Sequence, residues 1–145
     1  MDKPEIIGLV GNIVYTGIVN NVEYTEEALK DAVLRTLKKM IDGKNIPLVK
    51  EFSGPEIGHL ENLWYDNASK QVLAEVKLNN DYDIRAEREY ESLALSPTLS
   101  IEESRSNRNG ITSPDVIDFV NIALTDHPLD NQHIFAYKRR KLGKH

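Results

Sequence analysis

The residues with the clearest potential for chemistry are three hydroxyl side chains in the segment Glu91–Glu103, which reads ESLALSPTLSIEE. Ser96, Thr98 and Ser100 are spaced two apart, and side chains two apart on a β-strand point to the same face. Pro97 cannot donate a hydrogen bond to a sheet, which places such a strand at an edge, a bulge or a gap. A hydroxyl at such an interruption can act as a nucleophile. The ordinary interpretation, which the sequence alone favours, is a half-exposed strand whose hydroxyls face water.

A serine hydroxyl is a poor nucleophile until a neighbouring base takes its proton. Four side chains are candidates for that base: His59, His127, His133 and Lys50. His59 shares strand parity with Glu61, which favours a solvent-facing position over a catalytic one. His127 lies next to Asp126 in a loop, where adjacent side chains usually point apart. Lys50 would need burial to lower its pKa, and the acidic residue that follows it favours an ordinary surface ion pair.

Composition narrows the class of protein. The chain has 145 residues, the size of one domain, and no cysteine. It therefore has no disulfide framework and no thiolate metal site, and its histidines show no paired ligand spacing. No calcium-loop or glycine-rich phosphate-loop pattern occurs, so we expect neither a metal nor a cofactor. The apolar runs are too short to span a bilayer and the N-terminus lacks a signal-peptide pattern, so we expect no membrane contact.

Positive charge is concentrated at the end of the chain. The net charge is −5, and the last residues include five basic side chains: Lys138, Arg139, Arg140, Lys141 and Lys144. Removing those five charges from −5 leaves −10 for residues 1–137, which disfavours general nucleic-acid binding by the body. We predict one domain over residues 1–137 and a basic tail over residues 138–145. The tail is either the solvated end of a last strand or an arm that docks to an acidic protein surface or to DNA.

The most regular element is a helix predicted over residues 25–42. Thr25 can cap its first turn, and Glu26 and Glu27 suit the positive end of the helix dipole. Apolar residues then follow helical spacing: Ala28, Leu29, Ala32, Val33, Leu37 and Met40. Gly43 is predicted to end the helix, since a glycine adopts the backbone conformation that follows many helix ends.

Strands account for most of the remaining chain. Apolar runs bounded by turn residues predict strands at residues 5–19 (one bent strand or a hairpin), 45–52, 57–65, 71–78, 91–103, 116–125 and 133–137. The runs 57–65 and 71–78 are predicted to pair antiparallel, residues 85–90 to form a short helix and residues 104–110 a polar turn. This order predicts an α+β fold with a mostly antiparallel, barrel-like sheet and one main N-terminal helix.

The ordered motifs of the chain resemble a known family. They are TEEALKDAV, GKNIPL, PEIGHLENLWYDNASKQVLAEVKL, SLALSPTLSIEE and DFVNIALTDHPLDN. In their order and spacing, from Thr25 to Asn131, they are similar to the head-maturation (prohead) proteases of tailed bacteriophages, whose fold is similar to that of herpesvirus assembly proteases. The resemblance implies a small β-barrel flanked by helices, and a serine protease that cleaves scaffold and capsid proteins inside the procapsid.

The resemblance implies catalytic positions that this sequence fills only in part. The family's nucleophile maps to Ser96 through the Leu-Ser-Pro step, with Ser100 as a second choice. The family's first histidine is expected within residues 49–56, where this chain has none, and His59 is a substitute if the alignment shifts. The third position, a histidine or an acid in the family, is Asn121 here. Asparagine cannot take a proton at neutral pH or stabilise an imidazolium as a carboxylate does, which predicts a degenerate protease.

Three functions remain open at this stage. The first is a phage virion or capsid-assembly protein, a pseudoenzyme in the virion or the host cytoplasm, that binds capsid or scaffold protein as a homodimer or within a larger assembly. The second is an active maturation serine endopeptidase with Ser96 as nucleophile and His59, or else His127, as base. The third is an α+β domain of another role, outside the family. The missing base and Asn121 favour the first function over the second.

Overall fold

The computed structural model describes residues 6–87, 92–106 and 109–128, together with the backbone of residues 136–140. Within these residues it has one α-helix, α1 (Glu26–Ile41), and nine strands. The strands are β1 (Ile6–Tyr15), β2 (Gly17–Val19), β3 (Val22–Tyr24), β4 (Pro47–Lys50), β5 (Glu56–Asp66), β6 (Gln71–Leu78), β7 (Ala94–Ser106), β8 (Thr112–Thr125) and β9 (Ala136–Arg140). A single turn of 3-10 helix spans Ile84–Ala86.

Helix α1 begins and ends where its sequence predicts. The Thr25 side chain accepts a hydrogen bond from the backbone N–H of Ala28 at 3.1 Å, and two glutamates occupy the first turn. Gly43 follows the helix with φ +92°, a left-handed conformation that glycine adopts without strain. The buried side of the helix packs against the sheet and consists of Ala28, Leu29, Ala32, Val33 and Thr36.

The strands form one curled, mixed sheet that makes a half-barrel. Its order is β2-β3-β8-β4-β5-β6-β1-β9, and β7 pairs with β8. The predicted α+β class is therefore confirmed, but the sheet is mixed and not mostly antiparallel. The parallel pairs involve β8, which pairs with β3 at Val22–Thr112 and with β4 over Leu48–Ile122 to Lys50–Leu124. Strands so distant in sequence are not joined by hairpins, so their direction is free of the antiparallel constraint.

The first strands form a hairpin after a bend. The segment predicted as one bent strand or a hairpin is β1 followed by β2, and β2 pairs with β3 through a two-residue turn. Asn20 and Asn21 in this turn have φ values of 51° and 64°, and asparagine tolerates this left-handed region better than most residues. The antiparallel pairing of β5 with β6 confirms the hairpin predicted for residues 57–78.

Three predictions near the C-terminal half need correction or lie partly outside the described residues. The β7–β8 hairpin extends to Ser106 and resumes at Thr112, so the predicted turn at 104–110 is too long. The predicted helix at residues 85–90 is only the 3-10 turn already given, and residues 88–90 lie outside the described part. The last strand runs over residues 136–140 and pairs antiparallel with β1, so it includes the first three positions of the predicted tail.

The core is formed by buried side chains of α1 and of the sheet. Fully buried side chains come from every long strand: Ile13, Leu48, Leu60, Val72, Leu95, Ile122 and Leu124 among them. Gly58 in β5 has no room for a side chain, since an added Cβ would lie 2.1 Å from the backbone oxygen of Lys77. The helix of the described chain has neither the length nor the apolar character that a bilayer crossing requires.

Candidate functional site

Ser96 lies in β7 directly opposite Ala123 of β8, and its side chain has no exposed surface. The predicted row of water-facing hydroxyls is therefore wrong at this position, while Thr98 is half-buried and Ser100 is exposed. Among the strands that the structure describes, β7 pairs with β8 alone, and its register shifts after Thr98. An edge strand with a bulge is the setting in which a proline such as Pro97 is tolerated.

Asn121 lies in β8 opposite Thr98, so it shares a face of the sheet with Ser96. The two residues are diagonal neighbours across the ladder, and the Cα atoms of such residues are about 7–8 Å apart. The side-chain oxygen of Asn121 is buried and has no hydrogen-bond donor within the described residues. The structure therefore brings two of the three predicted site residues onto one face of neighbouring strands.

His59 is not brought to that face. It lies in β5 opposite Pro47, and β4 and β8 separate it from β7. Three strand spacings amount to about 14 Å along the sheet, well beyond the hydrogen-bond reach that proton transfer needs. The imidazole Nε2 instead lies 3.9 Å from a carboxylate oxygen of Glu61, as expected for a solvent-facing strand pair.

The other candidate bases are also engaged elsewhere or lie outside the described residues. The His127 side chain is 85 % exposed, and its Nε2 lies 3.3 Å from Asp126 Oδ1. The Lys50 amine lies 2.8 Å from Glu87, and its hydrogen bond is the main reason that the pKa of the Glu87 carboxyl is lowered. Lys50 pairs with Leu124, one position from Ala123, so its side chain leaves the sheet on the face opposite to Ser96. His133 is not among the described residues.

Sequence reasoning missed a polar contact beside Ser96. Thr125, also without exposed surface, donates from its hydroxyl to Glu51 Oε2 at 2.7 Å and accepts from the backbone N–H of His127 at 2.9 Å. Glu51 follows β4 with φ +53°, an uncommon conformation for a residue with a side chain. Glu51 also lies within residues 49–56, the stretch where the resemblance implies a histidine. No local pattern connects these two residues, which are 74 positions apart.

A second polar cluster lies farther along the same β7–β8 hairpin. Asp118 is buried, and both of its oxygens accept hydrogen bonds from Arg35 of α1 at 3.1–3.2 Å. The Lys39 amine adds a hydrogen bond at 3.0 Å, and Arg35 also lies 3.4 Å from Glu102 of β7. Burial by itself would raise the pKa of Asp118, but the hydrogen bonds and charges of Arg35 and Lys39 outweigh burial and lower it. The cluster holds α1 against the sheet.

The comparisons with known proteins identify no relative of this chain. No family model, no curated protein and no solved structure matches it. No group of three metal-ligating side chains comes together in the described parts of the chain. The site is therefore characterised by its own geometry. The Ser96 hydroxyl is buried, the neutral amide of Asn121 lies on the same face, and the His59 imidazole is on a strand three positions away in the sheet.

Proposed function

We propose that the chain is a phage virion or capsid-assembly protein that binds capsid or scaffold protein without cleaving it. The observation that supports this most directly is the complete burial of Ser96. A serine nucleophile must approach the substrate carbonyl carbon to about 3 Å, so its oxygen has to be reachable from the substrate groove. A peptide substrate cannot reach a hydroxyl that has no exposed surface.

The residues at the other two family positions support the same proposal. Asn121 occupies the third position, and its neutral amide can neither accept a proton nor stabilise an imidazolium. Glu51 lies within the stretch where the first histidine is expected, and it accepts the hydrogen bond of Thr125. The active-protease alternative needs His59 as base, and three strand spacings separate that residue from β7.

Binding is then the remaining role of a prohead-protease-like domain in phage assembly. Its partners are proteins that assemble around it, namely capsid or scaffold subunits, and its location is the virion or the host cytoplasm. The resemblance of the motifs suggests a role in phage assembly. The burial of the Ser96 hydroxyl argues against cleavage. The basic tail is proposed to contact an acidic protein surface or DNA.

The test is co-expression of the chain with the major capsid and scaffold proteins of candidate phages. We expect co-sedimentation with capsid or scaffold assemblies and intact masses for both partners. The matched variant Ser96→Ala should bind to the same extent, with unchanged partner masses. A cleavage product that disappears in Ser96→Ala would establish the protease alternative, and failure to associate with any capsid or scaffold protein would overturn the assembly role.

A further inference from the structure

An apolar groove runs along the outer side of α1, between the helix and β5. It has a volume of about 320 Å³ and is lined mainly by Val33, Leu34, Leu37, Leu63, Trp64 and Tyr65. Leu34 at its rim is 67 % exposed, so the groove opens to solvent. Sites for small ligands are concave and mostly apolar, with a few polar groups that fix the orientation of the ligand. The groove therefore has the lining of a site for a small apolar molecule.

One end of the groove is formed by a lysine above an aromatic ring. The Lys30 amine, which also lines the groove, lies 5.4 Å from the centre of the Tyr65 ring. The Tyr65 hydroxyl is hydrogen-bonded to the Thr16 hydroxyl at 2.9 Å, which fixes the ring. The Lys30 side chain is 47 % exposed, so a ligand can reach its ammonium group from solvent. The groove thus joins an apolar surface to a single cation at one end.

The charges around this end leave the cation in excess. Glu26 lies 3.8 Å from the Lys30 amine, but the same carboxylate accepts a hydrogen bond from the Lys70 amine at 3.0 Å. The two lysines therefore exceed the one glutamate by one positive charge. An anionic group beside Lys30 would balance that charge, which is the electrostatic complementarity that fixes the orientation of a ligand.

The exposed acidic side chains of α1 lie on the other side of the helix crest. Successive residues of a helix are about 100° apart, which places Lys30 about 40° from Leu34, on the groove side with Leu37. Glu27 and Asp31 lie about 20° and 60° from Leu34 in the opposite direction. These acids therefore face away from the groove, and Lys30 is the charged side chain that a ligand in the groove meets.

We propose that the groove binds a free fatty acid, with the alkyl chain between α1 and β5 and the carboxylate beside Lys30. A fatty acid joins an anion to an unbranched apolar chain, and these two parts match the cation and the apolar lining. Lys30 and Leu37 are about 10 Å apart along the helix axis, which suits a chain of moderate length such as that of decanoate. The carboxylate stays partly in water, where the exposed side of Lys30 also lies.

This inference does not depend on the proposed assembly function, because it concerns the purified chain and a small molecule. A chain that associates with capsid or scaffold protein but does not bind decanoate would keep the assembly role and lose this site. A chain that binds decanoate and no phage protein would keep the site and lose the assembly role.

The first experiment titrates the purified full chain with decanoate, below the concentration at which decanoate forms micelles. Trp64 is the only tryptophan of the chain and lines the groove, so its fluorescence reports binding, and calorimetry gives the stoichiometry. We expect saturable binding of one decanoate, and binding of octanoate up to about fifteenfold weaker because two buried methylenes are missing. Decylammonium, which carries the opposite charge on the same chain, should bind about fivefold or more weakly.

Three results of this titration would overturn the proposal. They are the absence of saturable decanoate binding, equal affinity for decanoate and decylammonium, and a fluorescence change that appears only with phosphatidylglycerol vesicles. The last result would mean that the groove meets a membrane surface and not a free fatty acid.

The second experiment locates the carboxylate by reversing one charge. Lys30→Glu should weaken decanoate binding about fivefold or more and strengthen decylammonium binding. The matched control is Lys38→Glu, which makes the same change at an exposed lysine of α1 outside the groove lining and should leave both affinities unchanged. Equal effects of the two variants would show that the carboxylate does not lie beside Lys30.

The alkyl chain is located by shortening one apolar side chain at the rim. Leu34→Ser should weaken the binding of both amphiphiles about fivefold, since the chain loses apolar contact whatever its charge. Ile41→Ser is the control, because Ile41 is 85 % exposed on the same helix but lies outside the groove lining. Circular dichroism checks that each variant is folded. Unchanged binding in Leu34→Ser would show that the amphiphile lies elsewhere and would overturn the site.

Discussion

The β7–β8 hairpin carries two polar regions that differ in charge. At one, Asp118 is surrounded by Arg35 and Lys39, and both carboxylate oxygens are hydrogen-bonded. At the other, Ser96 and Asn121 share a face with no formal charge between them, and the Asn121 oxygen lacks a donor in the described residues. The two regions lie on the same pair of strands, and each contains a buried residue, Asp118 or Ser96, so the sheet alone does not decide their chemistry.

The difference separates a structural role from a catalytic one. A buried carboxylate is tolerated when cations and hydrogen bonds surround it, and the Asp118 cluster meets that condition by joining β8 to α1. A serine protease needs the opposite, namely an accessible hydroxyl beside a group that changes protonation. Asp118 and Glu102 of this hairpin contact Arg35 of α1, whereas Ser96 and Asn121, at the place that the resemblance marks for catalysis, carry no charge.

The largest effect should follow from removing the Asp118 carboxylate. Asp118→Ala leaves Arg35 and Lys39 without their shared partner, so α1 loses its main polar tie to β8. We expect the free energy of unfolding in urea to fall by about 2–3 kcal/mol. The measurement is a denaturation curve with an unchanged slope, so that the shift in midpoint reports stability alone.

Asp115→Ala provides a matched control on the same strand. Asp115 also pairs with an arginine, Arg105, at 2.9 Å, but the side chain of that arginine is 73 % exposed. Exposed ion pairs contribute little, so this variant should change stability by no more than about 0.5 kcal/mol. Equal losses in the two variants would show that the Asp118 cluster has no special structural role.

The pH dependence of the free energy of unfolding should show the contribution of the Asp118 carboxylate directly. Hydrogen bonds and charges from Arg35 and Lys39 hold the pKa of Asp118 in the folded chain below its ordinary value of 3.8, so the ionised form favours the folded state. Its contribution is fully present above about pH 4 and is lost as the pH falls through the folded pKa. The stability gap between the natural chain and Asp118→Asn should therefore be constant from pH 7 to pH 5 and narrow below about pH 4. A gap that widens on acidification would contradict the sign of this shift.

The parts of the fold that local patterns determine were predictable from the sequence. Helix α1 has its cap, periodicity and terminating glycine within one stretch of chain, and the β5–β6 hairpin has its turn between its strands. The parallel pairing of β4 with β8 was missed because Leu48 and Ile122 are far apart in sequence. The sequence of neither strand specifies whether its partner runs parallel or antiparallel. Tertiary packing supplies that information.

The site was less predictable for the same reason. Alternation placed Ser96, Thr98 and Ser100 on one face but could not show which part of that face is covered. Asp118 did offer a signal, because an acid within an apolar strand needs a cationic partner. The sequence did not show which cations these are, because Arg35 and Lys39 precede Asp118 by about eighty positions.

Of the two buried regions, the neutral one should show the smaller effect, and a substitution of Asn121 tests it. Its buried side-chain oxygen has no donor among the described residues, and such a group costs free energy in the folded state. Replacing it with a side chain of similar size, Asn121→Leu, should leave stability unchanged or raise it by up to about 1 kcal/mol in urea denaturation. A loss above about 1 kcal/mol would mean that the amide makes a hydrogen bond the hairpin depends on. The neutral region would then be a structural polar site like that of Asp118, and the contrast between the two would disappear.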